Sequence, residues 1–470
     1  MLNILPPTIL GPICPACQCG LRALAIASNS RLLIAVGAVF VLLILAAAAF
    51  VITSRGGGEA PVGGEATGTT TPPQATGEET TTPAAYETTT SVATTEQARP
   101  ISVLVLFDVG GRGDLSFNDM AALGADRAAE ELGVDVVFQT PQSLAVMESV
   151  LDAASRSGEY DLIVLVGFLW QEPLEKVAPR YPEQKYALID AATRERYDNV
   201  ASYLFREQEV ASLVGIIAAD IANNISKATG EEAKAGAVAG MDIPPLWRFH
   251  IGYLYGVQYY NQAMGTDVEM VWTYTGRFDD PTLGKTTAEQ MLQQGVRVFY
   301  GVAGLTHVGM FNAVKEAAAR GVIAFSIGQD ASQEWYDPQT IIISGLKRVD
   351  VAVYTAIKDV VEGRFRGGIV SLGLKEGGLG LSDEEIIRYF AEIAAETGQL
   401  PEGLTPEKVV EIVMSQREKW ISNDGWRLVE ELKQKIISGE IKFVTPQDHD
   451  TYDSIIEELK AGNLEAALES

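Results

Sequence analysis

Three regimes of hydrophobic and polar patterning follow one another along the chain. Residues Leu32 to Thr53 form an almost uninterrupted apolar run. Residues 56–100 have almost nothing to bury. From residue 101, apolar β-branched runs of four to eight residues alternate with amphipathic stretches of helical period. The β-branched runs predict strands at Ser102–Asp108, Val134–Gln139, Asp161–Val166, Tyr186–Asp190 and Ala201–Leu204. Helices are expected between them at about 117–132, 144–156 and 171–180, and a long helix at 207–225 follows. A second series has strands near 235–239, 268–274, 297–301 and 322–327, with helices near 246–264, 281–294 and 306–320. Continuous apolar strands alternating with helices imply parallel sheets covered on both faces. Two such series imply two doubly wound lobes. A further strand, Thr340–Leu346, and a helix at 349–362 suggest that the chain recrosses between lobes. The tail from 383 onward reads as helices with a break at Gly439.

The apolar run is long enough to span about 30 Å of hydrocarbon. Arg31 and Arg55 bracket it, and about 30 residues precede it, which favours an uncleaved anchor over a cleaved signal peptide. The following stretch, Thr67–Thr95, holds 13 threonines among Pro, Gly, Glu and Ala. That is the composition of a disordered, O-glycosylated stalk. It would place an extracellular body on a single-pass membrane anchor. The sequon at Asn224 to Ser226 is consistent with that placement.

Charge and rare residues exclude several chemistries. Three arginines and no acid lie in residues 1–55, which leaves 33 basic and 62 acidic residues beyond them, a formal −29. A body so acidic repels phosphate backbones, so no nucleic-acid partner is expected. Cys14, Cys17 and Cys19 all precede the apolar run. They read as thiols of a cytoplasmic tail, because half a zinc site has too few ligands. The three histidines, His250, His307 and His449, are isolated and lack catalytic motifs. No cofactor or metal is expected.

In an open parallel sheet, ligands bind beyond the carboxyl ends of the strands. Asp108 ends the first strand there. A glycine-rich loop and the segment Ser116-Phe117-Asn118 follow it, and Ser116 or Asn118 is placed to cap the next helix. Asp190, Asp242, Phe278, Gly304 and Asp330 hold equivalent positions after later strands. Taken singly, each has a structural reading as a cap, turn or core residue. Together they suit a polar cleft that accepts a flat ring and hydroxyls.

Seven ordered segments then resemble the basic membrane protein family, nucleoside-binding lipoproteins that feed ABC transporters. They are DVGGRGDLSFND (108–119), LFREQEVASLVG (204–215), GMDIPP (240–245), YTGRFDDP (274–281), YGVAGLTHVG (300–309), SIGQD (326–330) and ISGLKRVDVAVY (343–354). The resemblance covers roughly residues 101–382. It implies an α/β, type I periplasmic-binding fold with two Rossmann-like lobes joined by three crossovers, closing over a nucleoside. In that light Phe117 and Phe278 look like the faces that stack on the base. Asp108 and Asn118 resemble the residues that read its edge. Asp330 and Lys347 resemble the group that holds the ribose, and Gly304 would let a backbone amide approach. Asp190 and Asp242 are further candidates.

The implied domain plan is a cytoplasmic tail (1–31), an anchor (32–54) and a stalk (55–100). Lobe 1 would comprise 101–206 with 328–350, and lobe 2 would comprise 207–327 with 351–382. A helical extension would fill 383–470. The partners implied are a nucleoside, an ABC permease and the membrane, for a monomer. Two departures from the family stand out. The apolar span and stalk replace a lipidated cysteine, as in archaeal binding proteins. Gln171 also occupies a region where the family often has an acid. Other readings of the same features are a sugar- or small-solute-binding protein, a sensor domain, and a surface nucleosidase. The last lacks an acid cluster beyond Asp279-Asp280.

Overall fold

A computed structural model of the protein describes residues 99–469. The expected tail, anchor and stalk, with Cys14, Cys17 and Cys19, lie outside the described residues. No described helix is long and apolar enough to cross a membrane.

Two six-stranded sheets organise the rest. The first has the order β11-β5-β4-β3-β1-β2, with β1 Ser102–Leu106, β2 Asp135–Gln139, β3 Leu162–Val166, β4 Lys185–Ile189, β5 Val200–Phe205 and β11 Gly368–Leu372. The second has the order β12-β10-β9-β8-β6-β7. Its strands are β6 Lys234–Ala239, β7 Glu269–Tyr274, β8 Val298–Val302, β9 Phe325–Asp330, β10 Ile341–Lys347 and β12 Leu379–Leu381. All pairings are parallel except that of β12 with β10. Central strands such as β3, LIVLV, are buried on both faces, as their unbroken apolar runs require.

Helices cover both sheets. Those of the first are α1 Phe117–Leu132, α2 Met147–Ser157 and α3 Gln171–Val177. Those of the second are α4 Glu207–Thr229, α5 Pro244–Met264, α6 Pro281–Gln293 and α7 Leu305–Ala319. The helix α8 Val349–Val361 packs against α1. The contact between α4 and α5 is unusually close. A Cβ on Gly252 would lie 2.4 Å from the Gln208 carbonyl oxygen, and one on Gly256 would lie 2.0 Å from that of Ser212. Glycine at both positions lets the two backbones touch.

The strands divide between the lobes differently from the expected plan. Residues 328–350 were assigned to lobe 1, yet β9 and β10 pair with each other inside the second sheet. Residues 351–382 are expected in lobe 2, and β12 is there, yet α8 packs on lobe 1 and β11 extends the lobe 1 sheet beside β5. The chain therefore crosses between lobes at Phe205–Glu207, Lys347–Val349 and Leu372–Leu379. The three crossovers stand as expected. The assignment failed because an apolar strand and an amphipathic helix look alike in either lobe.

The tail forms α9 Glu384–Glu396, α10 Pro406–Trp420, α11 Asn423–Ser438 and α12 His449–Lys460, with Gly439 as a left-handed cap after α11. It is built into lobe 2. Arg417 of α10, 4 % exposed, donates to the carbonyls of Ile342 and Ser382 and to the Glu334 carboxylate, which is fully buried. A buried carboxylate that loses its cation keeps its desolvation penalty and loses the attraction that offset it. Arg417→Ala should therefore lower unfolding stability by about 3–5 kcal/mol in urea titrations. The double change Arg417→Met with Glu334→Gln should recover much of that loss. A double variant no better than the single one would show that the pair itself is not what matters.

Candidate functional site

Carboxyl ends of strands from both sheets face one cleft between the lobes. Asp108, Phe117 and Asn118 line it from lobe 1, and Phe278, Asp330 and Lys347 from lobe 2. Of the nine residues singled out in the sequence, eight line it: Asp108, Phe117, Asn118, Asp190, Phe278, Gly304, Asp330 and Lys347. Asp242 does not.

One wall comes from the loop between β1 and α1. Asp114 caps α1, its carboxylate accepting from the backbone N–H groups of Ser116, Asn118 and Asp119 at 2.9, 2.9 and 3.2 Å. Neither Ser116 nor Asn118, the caps expected from the sequence, makes a side-chain cap. Asn118 instead ties two carboxylates together. Its amide donates to Asp108 at 2.8 Å and to Asp114 at 3.1 Å, while its oxygen accepts from the Asp108 N–H. Burial pushes the Asp108 carboxyl above its usual range. Burial, reinforced by Asp119, pushes Asp114 up to about 8, against N–H donors that favour the anion.

Ser116 reaches across the cleft. Its hydroxyl donates to Asp330 at 2.5 Å and to the Gln329 carbonyl at 3.1 Å. Gln333 donates back to the Leu115 carbonyl at 2.9 Å. These bonds join lobe 1 to lobe 2 across the cleft. Asp190 and Asp330 both follow or end a strand with left-handed backbone, at φ 68° and 74°. Aspartate tolerates that conformation better than most residues, and its cost is commonly retained at binding sites.

The second polar group centres on Lys347, 2 % exposed. Its ammonium lies 2.6 Å from Asp190 and 2.8 Å from Glu207. The rings of Phe117, Phe205 and Phe249 stand 5.3, 5.1 and 5.4 Å from it, within cation–π range. Burial disfavours this ammonium, but Asp190 and Glu207 outweigh it and hold the lysine above its ordinary pKa. Glu207 is fully buried and also pairs with Arg248. Against its burial, Arg248 and Lys347 hold it at about 2. Asp190 is pushed up to about 8 by burial, a shift that Lys347 eases and Glu207 reinforces. Asp330 is also raised by burial.

Phe117 enters from lobe 1 and Phe278 from lobe 2. The Phe278 ring lies against the backbone of Gly240, where a Cβ would come within 2.1 Å of the ring. Four participants were missed in the sequence: Asp114, Glu207, Phe249 and Gln329. Asp114 and Glu207 read as helix-start acids, and Phe249 as a core aromatic. Gln329 sits beside Asp330 in SIGQD, where the local sequence gives no sign of its role. Gln171, where the family often has an acid, donates to the Ala192 carbonyl and does not line the cleft.

Asp242 lies outside the cleft because the tail captures it. Its carboxylate accepts from the Trp247 indole at 2.5 Å and meets His449 of α12 at 3.1 Å. Trp247 in turn stacks on Tyr452 of the same helix, with ring centroids 5.4 Å apart.

The model of the Bmp family, described as ABC transporter substrate-binding protein, PnrA-like, matches residues 101–443. It thus runs about 60 residues past the 382 at which the sequence resemblance stopped. An uncharacterized lipoprotein of Pyrococcus furiosus is 56% identical over 377 residues, covering 80% of this chain and 93% of that protein. Basic membrane protein D of Borreliella burgdorferi is 30% identical over 302 residues, covering 63% and 83%. An ABC transporter solute-binding protein structure from Conexibacter woesei superposes with a TM-score of 0.51 at 21% identity. It covers 73% of this chain and 99% of its own. That likeness speaks for the fold alone.

His449 offers a test of how the tail is held. Its hydrogen bond to Asp242, aided by Asp453, raises its pKa above the ordinary value. A raised folded pKa means that the native state binds the proton more tightly, so the contribution is complete below about pH 6.5 and fades as pH rises through the folded value. His449→Gln should therefore lower Tm at pH 5.5–6 by on the order of 1 °C, with no difference by pH 8.5. A Tm difference independent of pH would refute this pairing.

Proposed function

Because the chain belongs to the Bmp family of PnrA-like ABC transporter substrate-binding proteins, we propose that its cleft takes a nucleoside. The chain is an ABC transporter substrate-binding protein rather than an enzyme, and such proteins bind a small ligand and work with a permease. The observation that carries the nucleoside reading is the pairing of Phe117 and Phe278, one from each lobe, in a cleft with two separate polar groups. A base between two aromatic rings gains about 1–3 kcal/mol per stack. The Asp108 carboxylate is placed to accept from the base edge. Asp330, Asp190 and Lys347 supply acceptors and a donor for ribose hydroxyls. Gly304, at φ 52°, exposes backbone where a Cβ would lie 3.3 Å from the Phe278 carbonyl oxygen.

Ligand contacts to both lobes favour the closed state, which is hinge closure by differential binding. The body stands outside the cell on the Leu32–Thr53 span and the threonine-rich stalk, working as a monomer. The Pyrococcus relative is named a lipoprotein, which supports surface anchoring. No cysteine follows the apolar run here, which supports a protein span over a lipid.

Thermal unfolding of the full-length protein in detergent, against nucleosides, free bases, sugars and amino acids, tests this reading. A ligand at 100 times its Kd stabilises the fold by about 2.7 kcal/mol. Nucleosides should shift Tm. Phe117→Ala and Asp330→Ala should abolish the shift, leaving the ligand-free Tm within a few degrees. A shift with sugars alone would move the protein to the small-solute reading. Gly240→Ala should push the Phe278 ring into the cleft and weaken nucleoside binding at least tenfold by calorimetry. Unchanged affinity there would remove Phe278 from the site.

A further inference from the structure

We propose that Glu207 is a positioning residue that holds the Lys347 ammonium to the ligand's sugar and ties it to the hinge. The proposal rests on the nucleoside reading of the cleft. Lys347 lines the cleft and Glu207 does not. Glu207 is fully buried behind the lysine, bonded to it at 2.8 Å. Both stand at crossovers. Lys347 ends β10, where the chain leaves lobe 2, and Glu207 opens α4, where the chain has just entered it. One charged hydrogen bond therefore joins two of the three segments about which the lobes turn.

The geometry around the ammonium separates the two carboxylates near it. Lysine has three N–H donors. Glu207 takes one in an aligned hydrogen bond. The Asp190 oxygen is closer, at 2.6 Å, as an ion-pair contact without aligned hydrogen-bond geometry. Asp190 and Lys347 line the cleft, where a ligand hydroxyl would meet them, while Glu207 stands outside it, committed to the lysine. Glu207 is fixed in turn from behind. Arg248 of α5 pairs with both its oxygens. That approach depends on the close contact of α4 and α5 at Gly252 and Gly256. Without the Glu207 charge, the ammonium has one strong partner left, Asp190, and turning to it would consume both groups that meet the hydroxyl.

Calorimetric Kd values of the full-length protein for ribonucleosides and the matching 2′-deoxyribonucleosides test this. The wild type should prefer the ribonucleoside. In Glu207→Gln that preference should fall about tenfold or more, the loss of one charged hydrogen bond. The deoxyribonucleoside Kd should change less than about threefold. Glu207→Asp, one methylene shorter, should fall between, and it decides the matter if the glutamine variant does not fold. An unchanged preference in a folded variant overturns the proposal. So does an equal loss for both sugars, which is what a merely structural role gives, or a wild type with no ribose preference. A wild type that binds no nucleoside sinks the nucleoside reading and this assignment together. A wild type with ribose preference and unaffected variants sinks this assignment alone.

Discussion

A buried ammonium at the join of the lobes governs the cleft. Taking Lys347 out of water costs several kcal/mol, and a single carboxylate seldom repays that in full. Here Asp190 comes from lobe 1, Glu207 and Arg248 from lobe 2, and three aromatic rings close around the lysine. Much else serves that arrangement. The left-handed backbone at Asp190 accompanies a carboxylate set beside the lysine. The glycines between α4 and α5 let Arg248 reach Glu207. Position at the crossovers makes the same group both a floor for ligand and a fastening between lobes.

The polar economy of the opposite wall is different. Asn118 spends both its N–H bonds on Asp108 and Asp114. It lines the cleft, and its amide orients both carboxylates. Ser116, expected as a cap, bridges to Asp330, because Asp114 has already satisfied the helix N-terminus. One aspartate used as a cap thus frees a serine to act across the cleft.

Much of this was legible in the sequence. Unbroken apolar strands are recognisable because both their faces are buried, and the rule that ligands sit beyond strand ends led to seven residues that line the cleft, with Lys347 added by the family resemblance alone. What stayed hidden depends on contacts between distant segments. Asp242 obeys the strand-end rule, but no local pattern shows that His449, some 200 residues on, will capture it. Glu207 looks like an ordinary acid in a helix's first turn, where the dipole alone would favour it. The strands β11 and β12 are short, glycine-flanked edges, too weak in period to stand out. The lobe assignment of α8 is a matter of which surface it meets, and its own pattern is neutral on that.

The threefold crossing also bears on how the chain is made. The lobe 1 sheet lacks its edge strand β11 and the cover of α8 until residue 372 has been synthesised, by which point most of lobe 2 exists. Lobe 2 in turn waits for β12, seven residues later, and for Arg417 to neutralise buried Glu334. Neither lobe is a contiguous stretch that can finish folding as it emerges, unlike domains that fold in order from the N-terminus. Both are therefore completed late and almost together, each needing strands that lie on the far side of the other in sequence.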